Sequence, residues 1–284
     1  MPEAQARSPD AGFSDVTVIR PSIGWIAINW REMWEARELL FFLMRRDVTV
    51  RYKQTVLGVA WAVLQPVFSM LVFTIIFGTL AKMPSEGFPY AIFVYAGLLP
   101  WTFFSTAVST SSQSLVNQQA LLTKIYLPRL FVPSTSIGSG LVDFAVSFVV
   151  FGGLMAYYGV APGWGMLAVP FLLVLTVVAA LGLGLLLSAV TVTYRDFRYV
   201  TPFMIQVWMY LSPVIYPVAI VPSDWQWLLA INPMAGIIDG FRAALLGRPW
   251  NLTALAISTA SSLVFLAFGL FYFRRTERRF ADVA

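Results

Sequence analysis

The sequence contains no cysteine and no histidine, and it is poor in charged residues. Without cysteine the chain has no disulfide and no thiolate metal site, and without histidine it lacks the commonest metal ligand and proton shuttle. Only 12% of the residues are charged, about half the share of an ordinary soluble domain. These absences exclude a Ser-His-Asp type of enzyme and disfavour a water-soluble fold.

The sequence also lacks the Gly-x-x-x-x-Gly-Lys-Ser/Thr loop that cradles nucleotide phosphates. No paired carboxylates are placed for glycosyl transfer, which disfavours a membrane-bound glycosyltransferase or ligase. We therefore expect a chain that is not an enzyme, with no catalytic residues, no metal site and no cofactor of its own.

Hydrophobic residues make up 58% of the chain and form long uncharged runs, and a helix of about 20 residues crosses a bilayer. We predict an all-α integral membrane protein with six transmembrane helices. Short re-entrant or outer-face helices are expected over 220–250, because the longest uncharged stretch there is too short to span. The predicted spans are 58–81, 89–112, 137–159, 165–191, 199–219 and 251–273.

The amino-terminal region divides into a flexible cytoplasmic tail, 1–21, and an amphipathic helix, 22–46, with the transmembrane domain following over 47–284. The helix has apolar and charged faces at helical spacing, which is typical of a helix lying on a membrane surface. A soluble helix packed on a partner subunit is the alternative. The residues predicted to anchor this region at the interface are Trp30, Trp34, Arg46, Arg51 and Lys53.

Basic residues are distributed unevenly across the predicted spans. Six spans place 16 of the 19 lysines and arginines on the side of both termini and leave Lys82, Arg242 and Arg248 on the other. The positive-inside rule then predicts that both termini are cytoplasmic. The net charge of +5 fits contact with anionic lipid, so we expect no nucleic-acid partner.

Polar and small residues inside the spans are few. Asp143 must face protein or water, and it is either the structural partner of a basic group or the coupling-ion site of a secondary transporter. Gly182 and Gly184 predict a close approach of another helix.

Four stretches of the sequence carry a resemblance to a known family. They are 46–66, with RYKQTVLG at 51–58; 122–129, LTKIYLPR; 194–196, YRD; and 232–242, with NPM at 232–234 and GFR at 240–242. Together they resemble the membrane subunit of type-2 ABC exporters, in the branch that moves O-antigen, capsule or teichoic-acid polymers. The resemblance covers about 30–280.

The resemblance implies that two copies pair around a conduit in the bacterial inner membrane. Two nucleotide-binding subunits would hold ATP and magnesium and supply energy from the cytoplasm for export of a lipid-linked polysaccharide. A type-2 ABC exporter of a drug or small lipid is one alternative. An ion-coupled secondary transporter that uses Asp143 is another.

Two groups of residues are expected to serve this function. Aromatic rings inside the spans would let a sugar polymer slide past, with packing or lipid contact as the alternative role; these are Trp61, Phe68, Phe203, Trp208 and Tyr210. The loop between the second and third spans matches the family's coupling helix, with the next cytoplasmic turn bracing it. The residues expected to contact the ATPase are Lys124, Ile125, Tyr126, Leu127, Pro128, Arg129, Tyr194, Arg195 and Asp196, with the three at 125–127 exposed.

Overall fold

The computed structural model describes residues 30–53, 60–124 and 127–277, and the regular elements in these ranges are all helical. The helix α3 continues as a π-helix over Thr74–Leu80, and a 3-10 helix, Trp164–Ala168, leads into α7. The α-helices are α1 Trp30–Glu35, α2 Arg37–Lys53, α3 Ala60–Phe73, α4 Tyr90–Asn117, α5 Gln119–Lys124, α6 Phe131–Tyr158, α7 Val169–Thr193, α8 Phe197–Leu211, α9 Ser223–Ile231, α10 Pro233–Leu246 and α11 Leu252–Glu277.

In the described ranges, five stretches of helix are long and apolar enough to cross a bilayer, and the bent pair α9–α10 is a sixth candidate. The predicted all-α membrane fold is therefore confirmed. Predicted span boundaries differ by several residues in places, since α4 extends to Asn117 and α6 begins at Phe131. The five stretches are Ala60–Leu80, Tyr90–Asn117, Phe131–Tyr158, Trp164–Thr193 and Leu252–Glu277.

The fifth predicted span, 199–219, is shorter than expected. Helix α8 ends at Leu211, and Ser212 is extended, with φ −103° and ψ 147°. Pro213 follows, and a proline disfavours the helical conformation of the residue before it. The remaining residues of the predicted span form turns and a short 3-10 helix, Val218–Ile220.

Helix α4 lies at the centre of the bundle and packs against α3, α6, α7, α8 and α10. In its most apolar stretch 83% of the residues are buried, whereas in the corresponding stretch of Ala60–Leu80 only 11% are buried. The Tyr95 hydroxyl donates to the backbone oxygen of Ser147 on α6 at 3.3 Å. Helix α4 is thus the core, and α3 lies on the outside with most of its apolar surface uncovered.

We name the two ends of the bundle by their connections. The near end holds α5, the start of α6, the α7–α8 turn and the end of α11, where Arg129 donates to the backbone oxygen of Glu277. The far end holds the connections 81–89, 159–168 and 247–251, where Arg248 pairs with Glu86 at 2.5 Å.

The predicted close approach at Gly182 and Gly184 is confirmed. A Cβ on Gly182 would lie 2.5 Å from the backbone nitrogen of Leu266 on α11. A Cβ on Gly184 would lie 2.6 Å from the hydroxyl of Ser111 on α4. Gly182 therefore lets α7 approach α11 at backbone distance, and Gly184 leaves room for the Ser111 side chain of α4.

Helices α9 and α10 meet at 95° around Asn232, whose side chain accepts from the amide of Met234 at 3.0 Å. On α11, Ser258 donates to the Asn232 backbone oxygen at 3.1 Å and Ser261 donates to that of Ile231 at 2.6 Å. These serines lie about 9–14 Å along α11 from its far-end start, at 1.5 Å per residue. The pair therefore enters the bundle from the far end and returns to it, as predicted for re-entrant helices.

The amino-terminal helices differ in extent from the single predicted helix over 22–46. The part over 22–29 and the tail over 1–21 lie outside the described residues. A turn at Ala36 separates α1 from α2, and α2 continues to Lys53. Helix α2 packs against α6, where Gly138 leaves room for the Met44 side chain.

Candidate transport surface

The exposed face of α3 carries two of the predicted path residues. Trp61 is 56% exposed and Phe68 is 57% exposed. Gln65, one turn from each of them on the same face, is exposed as well. The face is therefore aromatic at two positions and hydrogen-bonding at the position between them.

Helix α8 repeats this arrangement. Phe203 is 67% exposed, Tyr210 is 52% exposed, and Gln206 lies exposed between them on the same face. A fully lipid-facing helix has no need of a glutamine flanked by aromatic rings, because its amide has no partner in hydrocarbon. The faces of α3 and α8 thus share the pattern aromatic, glutamine, aromatic, and both helices pack on α4.

Trp208 is the exception among the predicted path residues. Its indole nitrogen donates to the Asn232 side-chain oxygen at 3.1 Å, and its ring packs edge-on against Phe104, with centroids 5.7 Å apart. It is half-buried and lies on the opposite side of α8 from Gln206 and Tyr210. Of the two roles expected for Trp208, path lining and packing, these contacts favour packing, against Phe104 and at the α9–α10 bend.

A cavity of about 610 Å³ lies between the end of α2 and helices α3, α4 and α6. Trp61 and Gln65 form one wall, so the cavity is continuous with the exposed face of α3. Its other walls combine aromatic rings with hydroxyl groups. They comprise Arg51, Tyr52, Ala62, Pro66, Leu99, Thr102, Phe103, Thr106, Thr110, Gly140, Asp143, Phe144 and Ser147.

Asp143 is paired within this cavity. Its carboxylate accepts from the Arg51 guanidinium and from the Tyr52 hydroxyl. Of the two roles predicted for Asp143, the contacts are those of a structural partner. The predicted role of Arg51 as an anchor at lipid headgroups is corrected. Its side chain turns inward and pairs with the Asp143 carboxylate.

The other predicted interface anchors have mixed surroundings. Trp34 is largely exposed and Lys53 is exposed, as a membrane-surface role requires. Arg46 is half-buried, paired with Asp47 at 2.8 Å, and it donates to the Gln118 side chain at 3.0 Å. The side chain of Trp30 and those of Ile125, Tyr126 and Lys124 lie outside the described residues.

The predicted ATPase contacts lie at the near end on two connections. Tyr194, Arg195 and Asp196 are exposed at the α7–α8 turn. In the other connection, Pro128 and Arg129 are half-buried, and Leu127 is 6% exposed. The expectation of an exposed Leu127 is corrected, because this side chain packs within its own chain with Phe131 and Phe273, close to α1 and α2.

Arg242 is a buried structural group that was not among the predicted functional residues. Its side chain is 0% exposed and donates to the backbone oxygens of Val214 at 2.6 Å and Tyr216 at 3.2 Å. Its guanidinium also lies 3.8 Å from the centre of the Phe93 ring. The sequence feature that could have indicated this burial is the presence of an arginine within the apolar residues of α10. Val214 and Tyr216 follow the early end of α8, so the arginine satisfies carbonyls that the shortened helix leaves open.

Residues 38–246 match the family described as ABC-2 type transporter. The chain belongs to this family. The match covers every helix from α2 to α10, so the resemblance to type-2 ABC exporters is confirmed.

Relatives of this ABC-2 chain are similar over nearly their whole length. An O-antigen export system permease protein RfbA of Myxococcus xanthus is 30% identical over 253 residues, covering 87% of this chain and 96% of the relative. A protein of the same name from Klebsiella pneumoniae is 24% identical, covering 87% and 95%. The polysialic acid transport protein KpsM of Escherichia coli is 26% identical, covering 83% and 92%.

Among the described residues of this ABC-2 subunit, no three acidic side chains gather where they would hold a metal ion. The family assignment itself is that of a transport subunit. The candidate site comprises the exposed faces of α3 and α8 and the cavity beside α3.

Proposed function

We propose that this chain is the membrane subunit of an ATP-driven exporter that moves a lipid-linked polysaccharide across the bacterial inner membrane. The observation that carries the proposal is the 30% identity, over nearly the full length of both chains, to a protein named for O-antigen export. The exposed aromatic and glutamine side chains of α3 and α8 support it, because flat rings stack on sugar rings and amides bond to hydroxyls.

We further propose that two copies of the chain enclose the conduit. Helices α3 and α8 expose their apolar and aromatic faces, and both lie against α4. One chain leaves these faces open, whereas a second copy related by a twofold axis would present the same faces to them. The conduit would then be lined twice by the aromatic, glutamine, aromatic pattern.

Deleting the gene tests the function. We expect surface polysaccharide to be lost, lipid-linked polymer to accumulate inside, and a plasmid copy to restore export. Trp61→Ala and Phe203→Ala should lower restored export several-fold at equal abundance. Phe268→Ala, which removes an exposed ring from α11, is the matched control and should export normally. If the deletion strain keeps its surface polysaccharide but loses export of a drug or small lipid, the substrate is that drug or lipid and not a polysaccharide.

The partner ATPase is proposed to bind at the near end. Arg195→Glu should weaken copurification of the ATPase by about tenfold, because it reverses an exposed charge at the α7–α8 turn and disturbs a charge-complementary contact. Lys82→Glu reverses an exposed charge at the far end and is the matched control. If both variants lose the ATPase equally, or if neither loses it, the α7–α8 turn is not part of the interface.

Both termini are proposed to be cytoplasmic, because 16 of the 19 lysines and arginines would then face the cytoplasm. An alkaline phosphatase fused after residue 284 should be inactive, and green fluorescent protein at that position should fluoresce. As a control, fusion within the far-end connection 81–89 should give the opposite pattern. Phosphatase activity at the carboxyl terminus would contradict the orientation.

The pairing of Asp143 with Arg51 bears on the ion-coupled alternative. Asp143→Asn should lower the free energy of unfolding by only about 1 kcal/mol, since both groups are partly exposed. The double variant with Arg51→Gln should recover part of that loss, because it removes the unpaired charge. Both variants should still export polysaccharide. Export and thermal unfolding would be measured for each variant. Normal stability with abolished export in Asp143→Asn would favour ion coupling.

A further inference from the structure

The exposed faces of α3 and α8, which form the proposed conduit surface, carry no charged side chain along their length. Neither the stretch Ala60–Leu80 nor residues 199–211 of α8 contains an acidic or basic residue. Their exposed polar side chains are neutral amides, hydroxyls and phenols, among them Gln65, Thr79, Gln206 and Tyr210. Exposed arginines of this region, Arg195 and Arg198, lie at its near-end mouth and not within it.

The charges that do lie within the bundle are already engaged. Arg51 and Asp143 neutralise each other at the wall of the cavity. Arg242 is buried against backbone oxygens and does not reach the exposed face of α8. At the far end, Arg248 is paired with both Glu86 and Asp239. In the described helices, the passage is therefore lined by neutral groups and closed ion pairs.

This neutrality restricts the substrate. A carboxylate or phosphate on every few sugars would lose water in a narrow passage and find no cation along α3 or α8 to replace it. A neutral sugar needs only what these faces offer, which is aromatic surface for its ring and amide or hydroxyl groups for its hydroxyls. The same pattern occurs on both helices, so the whole lining has one chemistry.

We propose that the exported polymer consists of uncharged sugars, such as neutral hexoses, deoxyhexoses or N-acetylhexosamines, without carboxylate or phosphate in its repeating unit. This inference rests on the proposed function and narrows its substrate. The phosphate that links a polymer to its lipid occurs once per chain, so its desolvation is met once, whereas a charged repeating unit would meet it every few sugars.

The first test uses anion-exchange chromatography of the surface polysaccharide that disappears when the gene is deleted and returns with the plasmid copy, after mild acid has released the polymer from its phosphate-bearing lipid anchor. We expect this polymer to elute without added salt, together with a neutral dextran standard. A polymer that depends on the gene but is retained until high salt would overturn the neutral assignment and leave polysaccharide export intact. If no surface polysaccharide depends on the gene, the proposed function and this inference both fall.

The second test places a charge of each sign at one position of the lining. Gln65→Lys and Gln65→Glu should lower export by similar factors, within about twofold of each other, because a neutral polymer meets either charge with the same desolvation. Gln206→Lys and Gln206→Glu should behave as a second matched pair on α8, and Gln65→Met is the neutral control. A difference of at least about tenfold in favour of lysine, equal to 1.4 kcal/mol, would indicate an anionic polymer and contradict the proposal.

Discussion

Gly269→Ala is expected to destabilise the protein by at least about 3 kcal/mol, beyond the usual cost of one added methyl group in a packed core. A Cβ at this position would lie 2.1 Å from the backbone oxygen of Gly182, and neither backbone has a side-chain rotamer with which to yield. Helix α7 would have to separate from α11, and the effect should be seen as a lower thermal midpoint in detergent and reduced abundance in membranes.

Gly153→Ala is the matched control for this variant. It makes the same substitution in helix α6, where an added Cβ meets no atom within 4 Å. Alanine is the better helix former, so this variant should be neutral or more stable by about 0.5–1 kcal/mol. Equal stability of the two variants would show that α7 and α11 do not cross at backbone distance at Gly269.

Arg242→Met is expected to lower the free energy of unfolding by about 3 kcal/mol, in the range found when one partner of a buried charged contact is removed. The substitution leaves the carbonyls of Val214 and Tyr216 without this donor inside the bundle. Because those carbonyls follow the end of α8, export should fall as well when abundance is equalised. Thermal unfolding and surface polysaccharide measure the two effects.

Arg242→Lys separates charge from geometry at the same position. A lysine ammonium cannot form the planar set of contacts that the guanidinium makes, so it should recover only part of the stability. Arg198→Met removes an exposed arginine at the start of α8 and should leave stability within about 0.5 kcal/mol of wild type. Wild-type stability of Arg242→Met would contradict its role in holding the end of α8.

The membrane class could be predicted from the sequence, because it follows from uncharged runs that are longer than any soluble core requires. Five of the six predicted spans correspond to helices long and apolar enough to cross a bilayer, whereas 199–219 does not, because α8 ends at Leu211. The re-entrant helices were predicted from a stretch too short to span. The early end of α8 was also readable, since Pro213 restricts Ser212. Local rules such as these depend on neighbouring residues and need no knowledge of the fold.

Contacts between distant parts of the chain could not be predicted from such local rules. Arg51 turns to Asp143 across 92 positions, and a basic residue near a membrane surface is equally suited to lipid headgroups. Leu127 is buried only because α6 and α11 bring Phe131 and Phe273 beside it. Trp208 packs inward because Asn232, at the α9–α10 bend, accepts its indole hydrogen. Each outcome was decided by tertiary packing.

Reconstitution tests the central claim most directly. The purified chain would be placed in liposomes with lipid-linked polymer from the deletion strain, with and without the ABC-type ATPase that copurifies with it. With both subunits and external ATP, the polymer should become resistant to an added glycoside hydrolase as it enters the lumen. The chain alone should neither hydrolyse ATP nor protect the polymer, since it has no phosphate-binding loop. Protection by the chain alone under a proton or sodium gradient, or no protection with both subunits and ATP, would contradict the account.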